Sequence, residues 1–162
     1  MKSIIYICPT GKNKPTGGIK LIYRQAEILS KLLPNEKDCK IFHFEDFNFK
    51  CDWFPHNVDF KKNSTFNSIK EFVIIPEWMA VYHAKILQKA GIKYGIFVQN
   101  GFYLNTKPKN NFSDEEINTA YEKAEIAKCT YKGSMFIKVP TLKEQNSCTT
   151  FYIYSSNFYN RL

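Results

Sequence analysis

The stretch Ser3-Ile4-Ile5-Tyr6-Ile7-Cys8-Pro9, followed by Thr16-Gly17-Gly18-Ile19-Lys20, decides the fold. Residues 3–8 form a continuous apolar run that Pro9 closes. A strand covered on both faces reads this way, because neither side alternates to polar. Pro9 to Gly18 is a loop rich in Gly, Pro, Lys and Asn. Residues 19–33 then carry a helical period. Lys20, Arg24, Glu27 and Lys31 make one polar stripe, and Ile19, Ile22, Tyr23, Ala26, Leu29 and Leu33 make the opposite face. Pro34 and Asn35 end it.

Working outward, Cys39 to Phe44 reads as a second strand and residues 45–68 as a long loop with one short strand. Phe72 to Ile75 is a third buried strand, stopped by Pro76. A helix follows from about Glu77 to Ala90, with Met79, Tyr82, His83, Ile86, Leu87 and Ala90 facing inward and Gly91 capping it. Tyr94 to Val98 is a fourth strand. Ser113 and Glu116 have capping-box spacing, so a helix starts there and runs on through Ala124. Met135–Val139 and Phe151–Tyr154 are two further short strand candidates. The order β-α-β-β-α-β-α with short buried strands predicts a doubly wound, mostly parallel α/β sheet.

Composition bounds the function. The 162 residues are 44% hydrophobic, enough for one packed domain and too apolar for disorder. No apolar run reaches the roughly 18 residues of a membrane span, and the start lacks a signal-peptide pattern. A cytoplasmic protein is expected, at most peripheral to the inner face of a membrane. The five cysteines are odd in number and widely spaced, with no C-x-x-C pair. Zinc ribbons and redox dithiols are therefore not expected, nor is any metal site. The net charge is +8, spread as a surplus of four, two and two over residues 1–50, 51–100 and 101–162. A nucleic-acid partner is not expected, since such proteins gather Lys and Arg on one element.

Ligands in doubly wound sheets bind beyond the carboxyl ends of the strands. Three segments fall there. Gly17 and Gly18 at a helix N-terminus let a ligand approach the backbone, and the free N–H groups and helix dipole favour an anion such as phosphate. Lys20 adds positive charge. The loop is neither a Walker A sequence nor G-x-G-x-x-G. Glu77 and Trp78 follow the third strand, a carboxylate for hydroxyls or a proton and an indole for stacking on a sugar face. Gln99 and Asn100 follow the fourth strand, with amides suited to hydroxyls or a carbonyl. For each segment a purely structural role stands beside the functional one: a glycine turn, a helix-start Glu with a core Trp, and an Asn-Gly turn.

Thr16-Gly17-Gly18-Ile19-Lys20-Leu21-Ile22-Tyr23-Arg24 after a strand ending in Cys-Pro resembles the amino-terminal half of GT-B glycosyltransferases. The bacterial group-1, family-four-like enzymes that begin with a Gly-Gly-(Ile/Val)-Lys turn are the nearest likeness. Val73-Ile74-Ile75-Pro76-Glu77 and then Gly95-Ile96-Phe97-Val98-Gln99-Asn100 resemble the same group in order. The likeness covers roughly residues 3–127, which implies a Rossmann-like acceptor-side domain at 1–127. Residues 128–162 depart from it, as an edge strand or a truncated linker.

The resemblance implies transfer of a sugar from a nucleotide sugar to a saccharide or lipid-linked acceptor, as in polysaccharide biosynthesis. It places Gly17, Gly18 and Lys20 near the donor phosphates, and Trp78, Gln99 and Asn100 on the acceptor side. Glu77 is the candidate base. The nucleotide sugar is a substrate; no cofactor is implied. The donor-binding half has no counterpart here, so a separate donor-binding subunit or a homodimer is expected as partner, and no transferase activity of these residues alone. The alternatives are a non-catalytic α/β module for a phosphate- or sugar-containing ligand, and a basic protein-interaction domain.

Overall fold

The computed structural model describes residues 3–32, 38–98, 112–124, 126–131, 134–137 and 153–154. The chain divides into two compact units, Met1–Ile74 and Ile75–Leu162.

In the first unit, β1 (Ser3–Cys8) pairs in parallel with β2 (Asp38–His43) on one side and with β4 (Glu71–Pro76) on the other. β2 pairs in parallel with the two-residue β3 (Asp59–Phe60), giving the order β3-β2-β1-β4. The chain thus fills one side of β1 and then crosses to the other. This reversal is the switch point of a doubly wound sheet, the fold class the sequence predicts. β1 has neighbours on both edges and apolar cover, so Ile5, Tyr6, Ile7 and Cys8 are all buried. α1 (Gly17–Leu32) packs on β1 and β2 through Ile19, Ile22, Tyr23 and Ala26, spaced i, i+3, i+4, i+7.

Residues 44–58 are less loose than their composition predicts. Tyr23 on α1 meets the rings of Phe54 at 5.2 Å and His56 at 4.7 Å, both edge-on. His43 meets Phe49 at 4.7 Å. Cys51, Phe54 and Val58 are buried. Glu27 fastens the segment from the helix: its carboxylate accepts from the Asn57 amide at 2.8 Å and from Arg24. Aromatic side chains bury enough area to order a segment without regular hydrogen bonding.

In the second unit, β4 ends in a 3-10 turn (Glu77–Met79) that leads into α2 (Ala80–Lys89). β5 (Tyr94–Val98) pairs in parallel with β6 (Ile126–Tyr131). Antiparallel pairing then begins, with β7 (Ser134–Ile137) on β6 and β8 (Ile153–Tyr154) on β7. α3 (Asp114–Glu122) packs on α2. The Tyr94 hydroxyl ties three of these elements together: it donates to the Ala120 carbonyl at 2.6 Å and accepts from the Gln88 amide at 2.8 Å.

Two expectations are corrected here. The inward stripe of α2 is Ala80, Val81, His83, Ala84 and Leu87, with Met79 ahead of it. Tyr82 and Ile86 face outward, 60% and 49% exposed, and Ala90 is exposed too. The small side chains Ala80 and Ala84 are fully buried, so they mark the line along which the helix approaches its neighbours. The helix at Ser113 stops at Glu122, short of Ala124, and β6 starts four residues later and runs through residue 127. Next to β5, parallel pairing gives Ile126–Tyr131 its backbone partners.

Candidate functional site

The carboxyl end of β1 opens into a left-handed turn. Gly11, Lys12 and Asn13 take φ of 62°, 53° and 55° in succession. Only glycine adopts such a conformation without steric cost, so Lys12 and Asn13 hold stored strain. Gly11 has a second constraint. A Cβ there would lie 2.6 Å from Ile19 Cδ1 of α1.

Thr10 and Glu45 hold this turn. One Glu45 oxygen accepts from the Thr10 amide at 2.8 Å and from the Thr10 hydroxyl at 2.5 Å. Thr10 Oγ1 in turn accepts from the Lys12 amide at 3.3 Å. The two Thr10 donors keep the Glu45 carboxyl below the usual carboxylate range, with His43 and Lys12 adding to the effect. Glu45 is thus an ionised strut whose proton affinity is low, not a proton acceptor.

α1 begins directly after this turn. The Thr16 hydroxyl caps it by accepting from the Ile19 amide at 3.3 Å. Gly17 and Gly18 form its first turn. Neither takes a positive φ, and a Cβ on Gly17 would meet nothing within 4 Å. The backbone does not need glycine at Gly17; what glycine supplies there is open space. Lys12, Lys14 and Lys20 are exposed around this helix start, with Lys20 Nζ 5.9 Å from the Phe54 ring centre. The arrangement offers backbone donors, a positive helix end and three ammonium groups, all suited to an anion.

Beneath the turn lies a buried polar chain. Tyr23 Oη is 2.7 Å from His43 Nε2, and His43 Nδ1 is 3.1 Å from the Cys8 carbonyl oxygen. Burial lowers the proton affinity of His43 and raises the pKa of the Tyr23 hydroxyl and the Cys8 thiol. Burial also pushes the Cys39 thiol up to about 12. Thiols held this way are not nucleophiles.

The sequence-derived residues fall in separate places. Gly17, Gly18 and Lys20 share the opening of α1 in the first unit. Glu77 and Trp78 stand together in the 3-10 turn of the second unit, Glu77 buried and Trp78 45% exposed. Gln99 and Asn100 lie outside the described residues. Sequence reasoning passed over Thr10, Gly11 and Glu45. The Thr-Gly-Lys-Asn run was a turn signal, but Glu45 is 35 residues from Thr10 and only the pairing of β1 with β2 brings them together. Among the described residues, no group of three His, Cys, Asp or Glu side chains is placed to hold a metal. No helix among them is long and apolar enough to cross a membrane.

Comparison with models of known protein families, with curated proteins and with solved structures finds no match to this chain.

Proposed function

We propose that the chain is the acceptor-side, amino-terminal domain of a GT-B-like glycosyltransferase, with the opening of α1 set against the diphosphate of a nucleotide-sugar donor. The observation that carries this reading is the pairing of the Gly17-Gly18 helix start with open space, beside the strand-order reversal at β1. A phosphate oxygen placed there meets main-chain N–H groups and displaces no side chain. The sugar-transfer step itself rests on the sequence resemblance, since a doubly wound sheet hosts many activities.

In this reading an acceptor hydroxyl attacks the anomeric carbon of the donor sugar. The bond from that carbon to the diphosphate breaks, and its electron pair leaves with the diphosphate. The α1 dipole and Lys20 stabilise the charge that develops there. The hydroxyl proton passes to Glu77, and Trp78, Gln99 and Asn100 bind the acceptor, a saccharide or a lipid-linked sugar. The donor's nucleoside is bound by a second domain, contributed by a separate subunit or by further chain.

The test is a thermal-shift series with nucleoside diphosphate sugars, free nucleotides, inorganic phosphate and simple glycans. A stabilisation by diphosphate sugars that Gly17→Ala with Gly18→Ala removes, the fold being intact, supports the reading. Stabilisation by inorganic phosphate alone, with no added effect of nucleoside or sugar, supports a non-catalytic phosphate-binding module instead. A shift that survives both substitutions removes the α1 opening from the site.

A further inference from the structure

We infer that the outward face of α2, together with Trp78 just before it, docks on an anionic lipid bilayer. Trp78, Tyr82 and Ile86 recur at i, i+4, i+8 and are 45%, 60% and 49% exposed. At about 100° per residue they share one arc of the surface, and Lys85 and Lys89 fall within the same arc. The inward face of the same helix is fully occupied by Ala80, Val81, His83, Ala84 and Leu87, so this stripe is surplus to the core.

Charge selects the occupant. Residues 78–93 contain Lys85, Lys89 and Lys93, all exposed, and no Asp or Glu. Lys85 is engaged by Glu116 of α3 and lies 5.5 Å from the Phe112 ring centre, which leaves Lys89 and Lys93 as the outer cations of this stretch. The acidic side chains nearest in the unit, Asp114, Glu115 and Glu116, sit in the first turn of α3, and Glu116 is neutralised by Lys85. An indole and a phenol prefer the headgroup level of a bilayer, and lysine stems cover apolar surface while the ammonium reaches lipid phosphate. α2 has ten residues, so it is roughly 15 Å long, suited to lying in the interface and too short to cross it. A symmetric pairing with a second copy would bring Lys85, Lys89 and Lys93 against the same three lysines, which disfavours that occupant. The inference does not depend on sugar transfer.

The experiment is co-sedimentation of the full chain with vesicles of phosphatidylcholine, with and without phosphatidylglycerol. Binding to the anionic vesicles and little to the neutral ones is expected. Tyr82→Ser with Ile86→Ser should abolish binding, and Lys89→Glu should weaken it about tenfold, given about 1 kcal/mol per lysine near such a surface. Both sites are exposed, and an unchanged circular dichroism spectrum and melting temperature show that the variants fold. Absence of anionic-vesicle binding, or binding that survives both sets of substitutions, overturns the inference. So does a dimer that Tyr82→Ser with Ile86→Ser dissociates, which assigns the stripe to a second copy. Binding of a single-stranded oligonucleotide in place of vesicles, abolished by the same substitutions, assigns it to nucleic acid and also overturns it.

Discussion

Tyr23 and His43 form the joint between α1 and the strands it covers: the tyrosine hydroxyl lies 2.7 Å from His43 Nε2. The Cys8 carbonyl only accepts, so His43 Nδ1 carries the hydrogen that bridges the 3.1 Å to it. Nε2 is then the lone pair, and the Tyr23 hydroxyl donates to it. Helix, β2 and the carboxyl end of β1 are fixed by one imidazole. Tyr23→Phe keeps the ring contacts and strands a buried acceptor. A loss of about 1–3 kcal/mol is expected in urea unfolding. A change below about 0.5 kcal/mol would show that the hydroxyl carries no net stability.

Burial holds His83 at about 4 and lowers His43 as well, against an ordinary value of 6.5. In the folded state both stay neutral where the unfolded chain already binds protons. The unfolded state therefore takes up more protons below about pH 6.5, and stability falls as pH drops from there, levelling near pH 4 for His83. A loss of about 1–3 kcal/mol is expected from His83 across that window. Urea midpoints between pH 7.5 and 4.5 should flatten in His83→Leu. The lowered carboxyls of Glu27, Asp38 and Glu45 act at lower pH, where stability is lost as pH falls below their ordinary range through their folded values. An unaltered slope in His83→Leu would mean that the imidazole is not the group titrating.

Gly11 and Gly17 should respond in opposite directions. Gly11→Ala puts a Cβ at positive φ and 2.6 Å from Ile19 Cδ1, so it should destabilise by about 1–3 kcal/mol. Gly17→Ala has helical backbone and open space, and should leave stability unchanged or raise it by up to about 1 kcal/mol. The same Gly17→Ala should weaken diphosphate binding. Thermal unfolding with and without ligand reads both effects, and equal destabilisation by the two substitutions would contradict the geometry.

Ser113 and Glu116 satisfy each other across the start of α3. The Ser113 amide donates to the Glu116 carboxylate at 2.8 Å, and the Glu116 amide donates to the Ser113 hydroxyl at 3.2 Å. Ser113→Ala should cost about 1 kcal/mol. Faster hydrogen exchange at the first-turn amides of α3 is the direct readout, and unchanged exchange there would count against the cap.

Much of this was written in local sequence. The run Ser3–Cys8 read as a doubly buried strand because a central parallel strand has no polar face, and that is where β1 sits. The Ser113–Glu116 box was legible because its chemistry lies within four residues. Where several faces competed, local reading failed. Tyr82 and Ile86 are apolar and correctly spaced for a core, yet two buried alanines set the contact line of α2. β6 was missed because Ile126–Tyr131 depends on β5 for its partners, and the helical pattern before it ran on without a stop signal. Glu45 could not be found as the strut of the β1 turn, since its link to Thr10 exists only once β1 and β2 are in register.

The central claim is that the opening of α1 receives the diphosphate of a nucleotide sugar. Amide resonances of the full-length chain, followed during titration with a panel of nucleoside diphosphate sugars, test it most directly. The account predicts saturable movement of the Gly17, Gly18 and Lys20 amides, reversed by the free nucleoside diphosphate. Movement confined to other residues, or none at millimolar ligand, would contradict it.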